Sequence, residues 1–180
     1  MAEPTETEVK LRVASLEGPR DTLARLGARQ VRERHLEDNV LFDKDGGSLA
    51  AAGAVLRLRR TPGKCTLTYK GPRRVEGGIK VREEQETVVA GPDETHAILT
   101  ALGYRAIFRY QKYRETWSYR GQEVVLDEVP VGTFIEIEGD PSGIREVSAE
   151  LGFDPSHYMA DSYVDLFFAQ GGRGDMVFDS

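Results

Sequence analysis

The chain has 180 residues, a formal charge of −6 at neutral pH, and 39% hydrophobic and 30% charged side chains. That length suits one domain with a real core, and the acidic balance argues against general nucleic-acid binding. The single cysteine, Cys65, excludes an internal disulfide and any cysteine-based zinc cluster.

No apolar run approaches the roughly 20 residues of a membrane helix. The start, Met-Ala-Glu-Pro, lacks the basic and apolar regions of a secretory signal. An intracellular, cytoplasmic location without membrane partners is therefore expected. In chain order, Glu6-Thr7-Glu8-Val9-Lys10-Leu11-Arg12-Val13 comes first and reads as a strand. Strand alternation puts Glu6, Glu8, Lys10 and Arg12 on one face and Val9, Leu11 and Val13 on the other. Gly18-Pro19-Arg20-Asp21 opens a helix with Leu23 and Leu26 as its stripe, ended by Gly27.

An extended segment from Ala28 to Asp43 follows, then a loop with Gly46-Gly47 and a short Ala-rich turn. Val55 to Arg59 alternates again, with Arg57 and Arg59 against Leu56 and Leu58. Pro62-Gly63 turns the chain into a strand from Lys64 to Lys70. Arg73 to Gly78 reads as a mobile, charged loop, and Ile79 to Val89 as a strand with Lys80, Arg82, Glu84 and Glu86 on one face. A second helix starts at Gly91-Pro92 and buries Ile98, Leu99 and Leu102. Tyr104 to Tyr119 reads as a strand pair or one long strand aligning Tyr110, Lys112 and Arg114. Glu123 to Glu128 and Phe134 to Glu138 are further strands, the latter placing Glu136 and Glu138 together. A helix from Asp140-Pro141 and a last helix over Met159 to Ala169 complete the chain, which reads as one domain over 1–170 with a flexible tail over 171–180.

Many antiparallel strands joined by short turns, with few helices, point to an α+β chain built on a closed barrel or strongly curved sheet. Amphipathic helices would cover its outer apolar face. Alternation leaves the charged face two settings, bulk water or an enclosed cavity. If enclosed, mixed acidic and basic rings need a charged guest, because unpaired buried charge is costly. A polyanion held by Lys and Arg, beside magnesium or manganese held by carboxylates, satisfies both halves. That pairing is the chemistry of metal-assisted phosphoryl transfer.

Glu6-Thr7-Glu8-Val9-Lys10 resembles the Glu-x-Glu-x-Lys signature of the CYTH superfamily, also called triphosphate tunnel metalloenzymes. Supporting pieces follow in the family's order: Leu56-Arg57-Leu58-Arg59, Leu67-Thr68-Tyr69-Lys70, Arg82-Glu83-Glu84, Lys112-Tyr113-Arg114, Leu126-Asp127, Glu136-Ile137-Glu138 and a closing Ser162-Tyr163-Val164-Asp165-Leu166. The resemblance implies an eight-stranded antiparallel β-barrel with helices packed outside, whose tunnel binds triphosphate with Mg2+ or Mn2+. By position, Glu6, Glu8, Asp127, Glu136 and Glu138 resemble the metal carboxylates. Lys10, Arg57, Arg59, Lys70, Arg82, Lys112 and Arg114 resemble the phosphate clamp, arginine gripping oxygens in pairs and lysine acting as a point charge. Glu84 reads equally as a group that positions water or orients the basic residues and as a plain ion-pair partner, and Glu84, Lys10 and Arg57 form the expected catalytic set. One departure stands out: where many members carry Asp-x-Tyr-Tyr/Phe-Asp, this chain has Asn39-Val40-Leu41-Phe42-Asp43.

Three activities fit. A metal-dependent triphosphate hydrolase comes first, with tripolyphosphate the first substrate because no nucleobase pocket is visible, and nucleoside or thiamine triphosphate as the other substrates. A class IV adenylyl cyclase and a non-catalytic polyphosphate or nucleotide sensor share the same clamp. A homodimer through the outer barrel wall is compatible with all three. His35, His96 and His157 lack metal-ligand spacing and read as surface residues. Tyr110, Tyr113, Trp117 and Tyr119 read as wall packing, and Cys65 as part of the outer core.

Overall fold

The computed structural model describes residues 5–179. The elements are β1 (Thr5–Val13), α1 (Glu17–Arg25), β2 (Arg29–Lys44), α2 (Ser48–Ala51), β3 (Val55–Thr61), β4 (Lys64–Lys70), β5 (Arg74–Glu76) and β6 (Ile79–Val88). They continue with α3 (Pro92–Ala101), β7 (Tyr104–Tyr119), β8 (Gln122–Val129), β9 (Gly132–Glu138), α4 (Pro141–Glu150), a 3-10 turn (Pro155–His157) and α5 (Tyr163–Ala169). The sheet order is β1-β9-β8-β7-β2-β3-β4-β6-β5, with β1 also paired to β6. That last pairing closes eight antiparallel strands into a barrel, and β5 flanks β6 outside the ring.

β1 serves both neighbours. Its Thr5–Glu8 half pairs with Lys80–Glu83 of β6, and Glu8–Val13 pairs with Thr133–Glu138 of β9. Tight turns set the register elsewhere. Arg120 and Gly121, both with positive φ (49° and 77°), join β7 to β8 in the primed-turn geometry that matches strand twist.

The apolar faces point outward, under the helices. Val9, Leu11, Val124, Leu126, Ile135 and Ile137 pack against Leu23 of α1 and Ile144 and Val147 of α4. Phe42, Leu58 and Cys65 pack against Leu99 of α3. A third cluster closes one end of the barrel, where Phe108, Tyr110 and Phe134 meet Tyr163 of α5 and Met176. With much of the hydrophobic burial placed outside and at one end, the interior takes the charged side chains alongside apolar ones such as Leu41, Val55 and Ile107.

Four expectations are corrected or sharpened. Residues 73–78 are not a mobile loop but a hairpin, in which Arg74–Glu76 pairs with Ile79–Val81 and Gly77-Gly78 supplies two left-handed residues (φ 58° and 82°). Tyr104–Tyr119 is one long strand. The last helix starts at Tyr163 rather than Met159, because Met159 bridges to Lys10 and Ser162 caps the helix in a reciprocal box with Asp165. Where a flexible tail is expected, Asp175 to Phe178 lie along β7. The Met176 N–H donates to the Arg109 carbonyl (2.9 Å), the Gln111 N–H donates to the Met176 carbonyl (2.9 Å), and Phe178 packs on Tyr113 at 5.0 Å. The reason is an unfilled edge: β8 pairs with β7 only over Tyr113–Tyr119, so Arg109–Gln111 need another partner.

Met176 is 1% exposed. Met176→Ala is expected to lower the unfolding free energy by about 2–5 kcal/mol in a urea titration. A change below about 0.5 kcal/mol, the usual size for a surface site, would show that the tail does not pack.

Candidate active site

The barrel encloses a cavity of about 820 Å³ lined by nine cationic and nine carboxylate side chains. Alternation along each strand sends these residues inward while their neighbours build the outer cores. They fall into two groups with different degrees of pairing.

The first group is cationic and centres on β3 and β7. Asp127, fully buried on β8, accepts from Arg114 twice (2.7 and 2.5 Å), from Lys112 (3.1 Å) and from the Tyr163 hydroxyl (2.8 Å). Arg114 also reaches Glu136 at 2.5 Å. Although burial opposes its charge, Asp127 and Glu136 raise the Arg114 pKa well above its ordinary value. Glu37 sits among Arg59 (3.4 Å), Lys112 (3.6 Å) and His35 (3.6 Å). Burial works against its charge, yet Lys112, His35, Arg114 and Arg59 hold its pKa well below the usual carboxylate range. Arg57 donates to the Thr68 hydroxyl at 3.3 Å and faces Glu84 and Glu86 at 3.9 and 3.8 Å. The Nε atoms of Arg57 and Arg59 are buried and have no hydrogen-bond partner.

The second group is acidic and centres on β1 and β9. Lys70 bridges Glu6 (2.6 Å) and Glu84 (2.8 Å), and Lys80 pairs with Glu8. Lys10 meets Glu136 at 3.2 Å and donates to the Asp161 carbonyl at 2.9 Å. Burial opposes the charge of Glu136, but Lys10, Arg114, Lys112 and Lys80 hold its pKa well below the ordinary value. Glu138 differs. It is solvent-exposed at the mouth, yet surrounding protein and the charges of Glu6, Glu8 and Glu123 push its pKa up to about 7. Glu6 Oε2 is buried and unpartnered. This corner carries more negative charge than its lysines cancel.

Every expected site residue except Asp127 lines the cavity. Asp127 is fully buried beneath Lys112, Arg114 and Tyr163, whose four donor contacts surround its carboxylate and fix their positions. Arg82 lines the cavity, but its Nε and Nη2 donate to the Gly71, Lys70 and Gly53 carbonyls. It staples the end of β4 to the loop before β3. Glu84 is an ion-pair partner of Lys70. Burial raises its pKa, but Lys70 and Arg57 win and lower it, which makes it a weak proton acceptor.

The sequence reading leaves out Lys80, Glu37, Tyr110 and Glu123 as site residues. Their signal was present: each is two residues from an assigned or neighbouring inward position on β6, β2, β7 or β8, so strict alternation reaches them. Tyr110 lines the cavity rather than merely packing in the wall. His35 is also not a surface residue, since its side chain is only 9% exposed. Cys65 is in the outer core as expected.

The donor chemistry suits a hard divalent cation at the acidic corner, since Glu6, Glu8 and Glu138 offer oxygen ligands and an unmet acceptor. Among the described residues no three such side chains are drawn into a ready-made cage. Lys70 and Lys80 occupy the carboxylates and would have to give way to an ion.

The CYTH domain family model matches residues 4–151. The chain belongs to the CYTH family. A curated relative from Methanocaldococcus jannaschii, named as a candidate adenylate cyclase, is 28% identical over 142 residues, 78% of this chain and 80% of its own. A solved structure from Vibrio parahaemolyticus, likewise titled a candidate adenylate cyclase, has a TM-score of 0.81 at 19% identity over 93% of this CYTH chain and 99% of its own. A Pyrococcus horikoshii structure has a TM-score of 0.74 at 25% identity over 92% and 99% of the two chains. A Hippeastrum structure, titled a candidate adenylyl cyclase with a dominant triphosphatase activity, has a TM-score of 0.69 at 21% identity over 93% and 97%. The Vibrio and Hippeastrum likenesses are likenesses of fold. Among the described residues no helix is long and apolar enough to cross a membrane.

The raised Glu138 pKa carries a pH signature. The folded protein holds a proton there that the unfolded chain releases near the ordinary 4.5, so this contribution to stability is present below about 4.5 and lost by about 7. In metal-free denaturation, wild-type stability should fall between pH 5 and 7.5 relative to Glu138→Gln. Parallel pH profiles would show that Glu138 titrates normally.

Proposed function

We propose that this CYTH protein is a divalent-metal-dependent triphosphate hydrolase acting inside its barrel, with tripolyphosphate as the first substrate to test. One observation carries the reading: the barrel cavity, open at a mouth, holds buried guanidinium donors without partners beside carboxylates whose charge is not cancelled. A triphosphate is long enough and charged enough to meet both. Its oxygens complete the Arg57 and Arg59 donors and lie along Lys112 and Arg114, which Asp127 and Glu37 hold in place. Glu6, Glu8, Glu136 and Glu138 are the carboxylates that would hold Mg2+ or Mn2+, which when bound neutralises developing phosphoryl charge and lowers the pKa of water. Glu84 keeps Lys70 oriented, and Lys10 is positioned by Glu136 and the Asp161 carbonyl.

A second reading is cyclisation of ATP. The apolar lining from Leu41, Leu49, Val55, Leu56 and Ile107 favours it, since inorganic triphosphate has no use for such a surface. The names of the Methanocaldococcus and Vibrio proteins point the same way.

Purified protein offered tripolyphosphate or ATP with magnesium or manganese separates the two. Phosphate from tripolyphosphate without cyclic AMP supports hydrolysis, and cyclic AMP with equal pyrophosphate supports cyclisation. Binding without any product overturns both readings in favour of a sensor. Glu8→Ala and Glu136→Ala should each reduce kcat by about a hundredfold or more, the scale for losing one group that stabilises the transition state. Near wild-type turnover in either would contradict the carboxylate assignment.

A further inference from the structure

We infer that Tyr110 is a substrate-contacting residue of this site, donating its hydroxyl proton to an oxygen of the bound triphosphate. The inference rests on the hydrolase or cyclase reading only in taking the guest to be a triphosphate.

Tyr110 is divided between two environments, as an amphipathic aromatic side chain can be. Its ring belongs to the apolar cluster that closes the barrel end, stacked on Phe108 at 6.3 Å and packed with Met176 and Tyr163. The backbone beneath it is fixed by the bridge between Tyr110 and Met176. Its other end lines the cavity. There the phenol faces Arg57 and Arg59 from β3 and Lys112 from its own strand. All three are donors, so the phenolic oxygen can only accept from them, and its own proton needs an acceptor. The two tyrosines that line the cavity differ here: the Tyr163 hydroxyl already donates to Asp127.

The surroundings of Tyr110 are incomplete in a consistent way. Arg57 Nε and Arg59 Nε, both donors, lack acceptors. A phosphoryl group, rich in acceptor oxygens, completes the guanidinium donors and the phenol together. The electrostatics agree: burial resists ionisation of Tyr110, but Arg57, Lys112 and Arg59 outweigh it and bring the pKa below the usual phenol value. A polyanion among those cations would cancel their field and return the phenol toward higher pH.

The test uses Tyr110→Phe with Tyr113→Phe as control, since Tyr113 stacks on Arg34 and Phe178 rather than lining the cavity. In metal-free ultraviolet titration, saturating tripolyphosphate should move one phenolate transition of the wild type and of Tyr113→Phe to higher pH. Tyr110→Phe should lack that transition. In turnover assays Tyr110→Phe should lose about tenfold in kcat/KM, the scale of one hydrogen bond to a charged group, with thermal unfolding unchanged. Equal kcat/KM in the two variants, or a phenolate transition that tripolyphosphate leaves in place, would overturn the inference. Wild-type protein that turns over no triphosphate defeats the enzymatic readings alone, and the phenolate titration then decides Tyr110 by itself.

Discussion

Charge enclosed in a barrel must be answered by charge, and most of this structure can be understood from that requirement. Nine cations and nine carboxylates line one cavity, where each ion loses much of its hydration. The fold answers with chains of pairs: Arg114 between Asp127 and Glu136, Lys112 between Asp127 and Glu37, and Lys70 between Glu6 and Glu84. Such pairing holds side chains in place more than it adds stability. Where pairing is incomplete, at the Arg57 and Arg59 Nε atoms and at the Glu6–Glu8–Glu138 corner, the cavity is prepared for a guest with both anionic and cationic parts.

Closure of the sheet makes that arrangement possible. β1 pairs with β6 through its first half and with β9 through its second, so Glu6 and Glu8 lie opposite Arg82 and Lys80 on one side, while Glu8 and Lys10 lie opposite Glu138 and Glu136 on the other. The same alternation sends Val9 and Leu11 outward beneath α1 and α4. One strand therefore supplies both the acidic corner and part of the outer core. Substitutions that shift its register by a residue would exchange the two faces.

Much of this was legible in the sequence because the strand period is strict. Val55–Arg59, Lys64–Lys70 and Phe134–Glu138 declare their inward sets without ambiguity, and the Glu-x-Glu-x-Lys opening fixes which face matters. What alternation cannot read is the partner of each charge. Arg82 resembles a phosphate clamp, yet its donors meet the Gly71 and Lys70 carbonyls, which depends on how the β4 end folds back. Asp127 resembles a metal ligand, yet is fully buried beneath Arg114 and Tyr163, which take up its oxygens. The C-terminal segment looked loose because glycine-rich composition carries no sign of the exposed β7 edge that it covers. Long-range contacts of this kind leave no local trace.

The central claim is that one cavity binds triphosphate and a divalent cation together. Manganese binding followed by electron paramagnetic resonance, with and without tripolyphosphate, tests it most directly, using protein concentrations that hold free metal low. Coupled sites must tighten each other by the same factor. The account predicts that tripolyphosphate increases manganese affinity, beyond the complex the two form in buffer, and that Glu8→Ala removes the increase. Independent binding of the two, or an increase that survives Glu8→Ala and Glu136→Ala, would contradict it.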